Sequence, residues 1–380
     1  MTAFSATNAG LRPSAGTCHS SWMVALSEKR RPVKGRRYSA RVVEGGPVRG
    51  LRLRSFALAA ALVTTVLAPR ATAATTLRVA TVAPKDSPWG RVYSIWAHAL
   101  EKKTNGAITV QMLWNGTAGP SSSMMSKLQS GQLEGASVSM ADLASIYPDV
   151  FALELPGAMR AWSELDPVRT ALQPDVATEL SRAHLRFAWW EDLGLVHLFT
   201  RGYSARRPVD LAHQLLASSG MSTQDPVVRE LASTLGVVAP DTSEVPSRPT
   251  SSPPSVYLGT ASTRVVTQFD HVDDRVSWCG IAGALVFTEQ ALAALPPALV
   301  PIFDQISDRV SQSLPTRVRQ NDYLAFAQFA QSASVVRHTP AENAEWDRLY
   351  ARVTQRLANG KLSKVTVNHV LAMRSLPLVP

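Results

Sequence analysis

Few side chains in this sequence have the types and spacing that do chemistry. The run Asp270-His271-Val272-Asp273-Asp274 gathers carboxylates and an imidazole within five residues. Hard-cation loops normally add a glycine and further carbonyl oxygens. Those are missing, so the run reads as a solvated turn or a helix start, and no metal site is expected. Glu191 and Asp192 are adjacent acids; on a strand they point to opposite faces and cannot work as a paired acid and base. His197 could titrate near neutral pH, but a lone histidine on an apolar run reads as structural. Of two cysteines, only Cys279 lies far from the N-terminus, between tryptophan and glycine, and it reads as a small buried hydrophobe. There is no Gly-rich phosphate loop, no Ser-His-Asp spacing and no Gly-x-Ser-x-Gly elbow. No enzyme and no cofactor are expected, which leaves binding.

The element that positions everything else is Leu185–Thr200, apolar and aromatic apart from Glu191, Asp192 and Gly194. It predicts one long, kinked strand. At roughly 3.3 Å per residue such a strand spans about 50 Å, enough to leave one domain and enter another. Before it, Thr75–Val82, Ile108–Leu113 and Leu133–Met140 read as strands. Helices after Pro88 and Ser121 separate them, giving a parallel sheet covered by helices. Residues 156–183 read as two helical segments parted near Pro174. After the long strand come Leu215–Ala217, a helix over Pro226–Leu235, a strand at Val237-Val238 and a Pro/Ser-rich loop over Asp241–Ser255. Arg275–Phe287 can cross back as a further strand, and from Glu289 the chain reads as helical with breaks at Pro315 and Pro340. The fold class is therefore α/β, with two lobes joined by crossing strands around a hinged cleft. The expected division is 74–195 with 257–290 as the first domain and 196–256 with 291–380 as the second.

Charge excludes one class of partner. The chain of 380 residues has a formal net charge of +10, but twelve of its 39 basic residues lie within residues 1–70 against two acidic ones. Beyond Arg70 the signs balance at 27 each. No basic face remains to release counterions, so nucleic acid is not an expected partner. Within residues 1–73, three arginines (Arg49, Arg52, Arg54) precede an apolar run over 56–68 and then Ala71-Thr72-Ala73. A run of about thirteen residues is short of the roughly twenty that span a bilayer. It reads as an export signal cleaved near Ala73, after a basic extension, and implies a periplasmic location.

Leu77-Arg-Val-Ala-Thr-Val-Ala-Pro-Lys-Asp-Ser-Pro-Trp-Gly90, Lys127-Leu-Gln-Ser-Gly-Gln-Leu-Glu-Gly135, Tyr147-Pro-Asp149 with Leu155-Pro156, and Ala293-Ala-Leu-Pro-Pro297 together resemble the solute receptors of tripartite ATP-independent periplasmic (TRAP) transporters, of the dicarboxylate-receptor type. The resemblance covers roughly residues 75 to 375. It implies a periplasmic-binding-protein-like fold, a long C-terminal helix bracing both domains, closure on a small ligand that is commonly a carboxylate, and delivery to membrane permease subunits. It also implies an arginine forked onto the ligand carboxylate, bidentate pairing being what a guanidinium does well. Ala217 stands at that position, and Val196 stands where some members have a second arginine. The acidic-Asn pair of the family falls in the Pro/Ser-rich loop and Val256–Gly259.

By position, the residues expected to line the cleft are Trp89, Ser139, Met140, Trp190, Val196, His197, Ala217, Tyr257 and Trp278, with Trp189 pointing away from its neighbour. That set is apolar and aromatic. It leads to the expectation of a TRAP-type solute-binding component for a hydrophobic or weakly polar molecule rather than a simple dicarboxylate. The alternative is a periplasmic interaction or sensory docking protein that uses the same fold without transport.

Overall fold

The computed structural model describes residues 74–218, 225–238 and 255–380. Residues 1–73, where an export signal is expected, and positions 241–254 of the Pro/Ser-rich loop lie outside the described residues.

Strands β1 (Thr75–Ala80), β2 (Ile108–Leu113) and β3 (Gly135–Ser139) form the parallel sheet that the alternation predicts, in the order β2-β1-β3. Helix α1 (Pro88–Lys103) joins β1 to β2. Ser87 Oγ accepts the Gly90 N–H and Pro88 occupies the first turn, where its missing N–H costs nothing. Val92, Tyr93, Trp96 and Leu100 recur at three- and four-residue intervals and are all buried. Gly90 itself admits no side chain, because a Cβ there would sit 2.2 Å from the Lys85 carbonyl oxygen. Helix α2 (Ser121–Gln129) joins β2 to β3, and the short α3 (Met140–Ala144) follows β3 directly.

The long strand is present in full as β4 (Leu185–Thr200). It changes partners along its length. Leu185–Val196 runs antiparallel to β8 (Trp278–Thr288), which in turn pairs with β3. His197–Thr200 pairs with β6 (Val256–Gly259), which continues to β5 (Leu216–Ser218), and Phe199-Thr200 also meets β7 (His271–Asp273). β7 carries β9 (Ser334–Val336). The result is one nine-stranded sheet with β4 common to both ends. Of the segment 257–290, then, β6 and β7 pair with the far end of β4 and β8 with its near end. The register slips between Phe187 and Trp189 and again on both sides of Asp192, so the kink anticipated at Gly194 is a cluster of bulges.

Two expected helix breaks do not occur. Helix α4 (Trp162–Arg182) runs unbroken through Pro167 and Pro174, and α7 (Val300–Phe329) runs through Pro315. An interior proline costs about 3 kcal/mol by losing one backbone bond and crowding the preceding turn. The apolar stripes offset this by continuing across it. Leu165, Val168, Leu172, Val176 and Leu180 are buried in α4, and Phe303, Ile306, Val310, Leu314 and Val318 in α7. Pro340, by contrast, opens α8 (Pro340–Ala358) beneath a Thr339–Glu342 capping box. The remaining helices are α5 (Pro226–Leu235), α6 (Glu289–Ala293) and α9 (Lys364–Met373).

With 30 residues, α7 is about 45 Å long. Its first half packs into a core with Trp96, Trp189 and Phe287. Its last turns place Ala325, Phe326 and Phe329 against a second core containing Phe199, Tyr257 and Val272. It therefore braces both ends of the sheet.

Candidate ligand-binding site

Seven of the nine residues expected to line the cleft fall on three apolar clusters. Met140, Trp190, Val196 and Trp278 lie in the largest, with Val196 and Trp278 opposite each other in the β4–β8 ladder. Trp89 is half-buried at the start of α1, against the cluster that also holds Trp189. Ala217 and Tyr257 are neighbours in the β5–β6 ladder and belong to the third cluster. The Tyr257 hydroxyl lies 2.9 Å from Thr263 Oγ1. Ser139 caps α3, its hydroxyl accepting the Asp142 N–H. His197 is buried with Nδ1 3.0 Å from the Asp273 carbonyl, its ring stacked on Phe326 at 4.5 Å. Burial pulls its pKa down to about 4, so the ring is neutral at physiological pH. The indole N–H groups of Trp89, Trp190 and Trp278 are buried without a hydrogen-bond partner. Cys279 is buried, and burial pushes its thiol pKa up, as an inert small hydrophobe requires.

Where β4 bulges, its two acids point apart. Glu191 accepts hydrogen bonds from the Tyr93 hydroxyl and from Ser137 Oγ at 2.5 Å, and burial raises its pKa to about 7. Asp192 has no exposed surface. It pairs with Arg169 at 2.5 Å and with Arg319 of α7 at 2.7 Å. Both arginines also bind Asp166, and the Arg319 guanidinium lies 4.3 Å from the Trp162 ring centre. One turn further along α7, Asp322 Oδ2 accepts the Leu195 N–H at 2.7 Å. Gly194, between these grips, has φ near +147°, and a Cβ there would stand 2.7 Å from the Asp322 carboxyl. Glycine is required at that point of the crossing strand.

A second pair of buried acids has no such compensation among the described residues. Glu154, ending a 3-10 segment (Pro148–Glu154), is 1% exposed. Its Oε1 accepts the Ile281 N–H at 2.9 Å, while Oε2 has no hydrogen-bond partner. Asp225 caps α5, Oδ1 accepting the Val227 N–H at 2.8 Å, and is 3% exposed. Burial and mutual repulsion raise the Glu154 pKa well above the carboxylate range, and burial raises Asp225 to about 7. The Asp225-Pro226-Val227 sequence is a readable cap and first turn. Nothing in Leu153-Glu154-Leu155 marks the glutamate as more than one polar residue in an apolar run.

The acidic run at 270–274 is not a solvated turn. His271–Asp273 forms β7, and Asp273 is buried because β7 is covered on both sides by β4 and β9. Asp273, Asp274 and His338 bring ligand-type atoms within 4.8 Å of one another. Asp273 Oδ1 and His338 Nε2 already bind each other at 2.7 Å, however, and His338 Nδ1 is 2.9 Å from the Arg206 carbonyl. These atoms are engaged in joining β7 to the start of α8.

Three cavities lined by described residues have volumes of about 620, 490 and 230 Å³. The largest lies beside the C-terminal tail, between Arg160, Tyr350, Arg374 and Leu378. None of the three is lined by any of the nine expected residues.

Comparison with known proteins places this architecture. A family model described as bacterial extracellular solute-binding protein, family 7, matches residues 79–237. No curated protein matches the chain. Among solved structures, a TRAP periplasmic solute-binding protein from Ralstonia eutropha H16 with bound (S)-2-acetolactate superposes with a TM-score of 0.67 at 18% identity, covering 79% of this chain and 98% of that one. The sugar acid binding protein of Advenella mimigardefordensis in complex with galactonate gives 0.69 at 18% identity, covering 80% and 98%. A TRAP solute-binding protein from Sulfurospirillum deleyianum with bound succinate gives 0.68 at 17% identity, covering 79% and 99%. Residues 79–237 thus match the family 7 model, and the described chain has the two-domain α/β fold of TRAP receptors.

Proposed function

We propose that this chain is a family 7 solute-binding protein, the periplasmic component of a TRAP system for an apolar or weakly polar molecule, which it encloses between its lobes and passes to membrane permease subunits. The lobes are taken to meet along β4 near residues 195–196. The observation that carries the reading is the identity of two buried positions. The resemblance implies ligand-binding arginines where this chain has Val196, fully buried, and Ala217, 6% exposed. The arginines that reach the middle of the crossing strand, Arg169 and Arg319, are already paired with Asp166 and Asp192. Without a forked guanidinium, a buried carboxylate would be left uncompensated at a cost of several kcal/mol, on the order of that for breaking a buried ion pair. The three relatives above hold acetolactate, galactonate and succinate. The reading therefore separates this chain from them by ligand while sharing their fold. Native mass spectrometry of the exported protein after gentle purification tests it. An apolar or weakly polar passenger is expected, and a tightly held small dicarboxylate would sink the reading.

A further inference from the structure

We infer that Glu154 and Asp225 recognise a cationic head, an organic ammonium, on the ligand of this receptor. The inference rests on the reading just given and narrows it to a molecule with an apolar body and one amine.

Both carboxylates are more than nine-tenths buried, and neither has a lysine or arginine partner among the described residues. They come from different parts of the fold. Glu154 is held against β8 through the Ile281 N–H, two residues beyond the last β3–β8 pair at Ser139 and Gly283. Asp225 is held at the head of α5, on the β5 side of the sheet. Each has one oxygen anchored by backbone, and Glu154 Oε2 is left with no partner. Helix capping explains why an acid stands at 225. It does not explain why the 3-10 segment against which α5 packs ends in a second buried acid with a free oxygen.

A charged group in that position costs free energy unless it is paired. A protonated pair would remove the charge but leave Glu154 Oε2 unsatisfied. An ammonium supplies what is missing, since it brings one positive charge and three N–H donors on a compact centre. A divalent cation fits less well. Calcium takes six to eight oxygens, and two of the four carboxylate oxygens here already accept backbone N–H bonds. The surroundings suit an apolar body. Leu153, Leu155, Val227, Val228 and Ile281 belong to the same apolar cluster as Met140, Trp190, Val196 and Trp278.

The test is thermal unfolding of the exported chain at pH 7.5 with matched probes: 2-phenylethylamine and hexylamine, phenylacetate and hexanoate, 2-phenylethanol and 1-hexanol, and calcium or magnesium chloride alone. The amines are expected to raise Tm in a concentration-dependent way, as a ligand that binds the folded state must. Glu154→Gln and Asp225→Asn keep the backbone acceptors, and each is expected to weaken the amine response at least tenfold while still melting cooperatively. Should one variant fail to fold, the other decides. Acids or alcohols stabilising as well as the amines would overturn the ammonium site and leave the receptor reading standing. Stabilisation by the metal salts alone would replace the ammonium with a cation site. Silence from every organic probe would overturn the ammonium site and the apolar-ligand reading together.

Discussion

Asp192 and Glu154 are both acids with almost no exposed surface, at most 1%, but their surroundings treat them in opposite ways. Asp192 is gripped by Arg169 from α4 and Arg319 from α7, so its charge is matched within the protein. Glu154 faces Asp225 and has an oxygen with no partner. Burial is the same at both sites, and only the compensation differs. An acid that the fold itself neutralises works for the architecture. An acid that the fold buries and leaves unmatched is available to a partner that arrives later.

The contrast can be broken most sharply at the matched acid. Asp192→Ala leaves two guanidinium groups facing each other beside Asp166, and breaking a buried pair costs about 3–5 kcal/mol. Denaturant unfolding is expected to show a loss of that size. A loss below about 1 kcal/mol would mean that Asp192 does not anchor the hinge.

Gly194→Ala comes next. A φ near +147° and a Cβ 2.7 Å from the Asp322 carboxyl force either strain or loss of the Leu195–Asp322 bond. The expected cost is about 2 kcal/mol. An unchanged midpoint would show that the bulge can relax.

Glu154→Gln is the opposite case. It keeps an acceptor for Ile281 and removes an uncompensated charge, so it should stabilise the fold at pH 8, seen as a raised Tm. A loss like that of Asp192→Ala would erase the distinction between the two sites.

The smallest effect is a pH slope. Asp225 ordinarily titrates at 3.8 but does so at about 7 in the fold, and Glu191 moves from 4.5 to about 7. Between those values the folded chain holds protons that the unfolded chain releases, so stability falls as pH rises through that window. His197 acts in the other direction. Its pKa drops from 6.5 to about 4, so its contribution is lost as pH falls across that range. Burial raises Glu154 and Asp322 in the same direction, so the carboxyls outnumber the one imidazole and Tm is expected a few degrees higher at pH 5.5 than at pH 8. Asp225→Asn should flatten the slope, and a slope unchanged by it would locate the protons elsewhere.

Much of the architecture is legible in the residues. β1-α1-β2-α2-β3 follows from alternating and helical periods with clear caps, and Leu185–Thr200 reads as the crossing strand. Pro174 and Pro315 mislead because a proline is a local cost visible in the sequence, whereas the burial of Leu172–Val176 and Leu314–Val318 against other elements is not. The run at 270–274 misleads for the same reason. Its charges look solvated until β4, β9 and His338 enclose Asp273. The candidate site divides likewise. Val196 and Ala217 are readable as replacements for expected arginines, but Glu154 is not, because its significance lies in Asp225, 71 positions away, and in the absence of a cationic partner for either among the described residues.

Helix α7 and strand β4 also bear on how the protein comes apart. Trp189 and Phe303 belong to one core, Phe199 and Phe329 to another, and each core draws on both elements. Neither core can melt alone without stripping a strand and a helix from the other. Heating should therefore give a single calorimetric peak, with equal van't Hoff and calorimetric enthalpies, although the fold has two lobes.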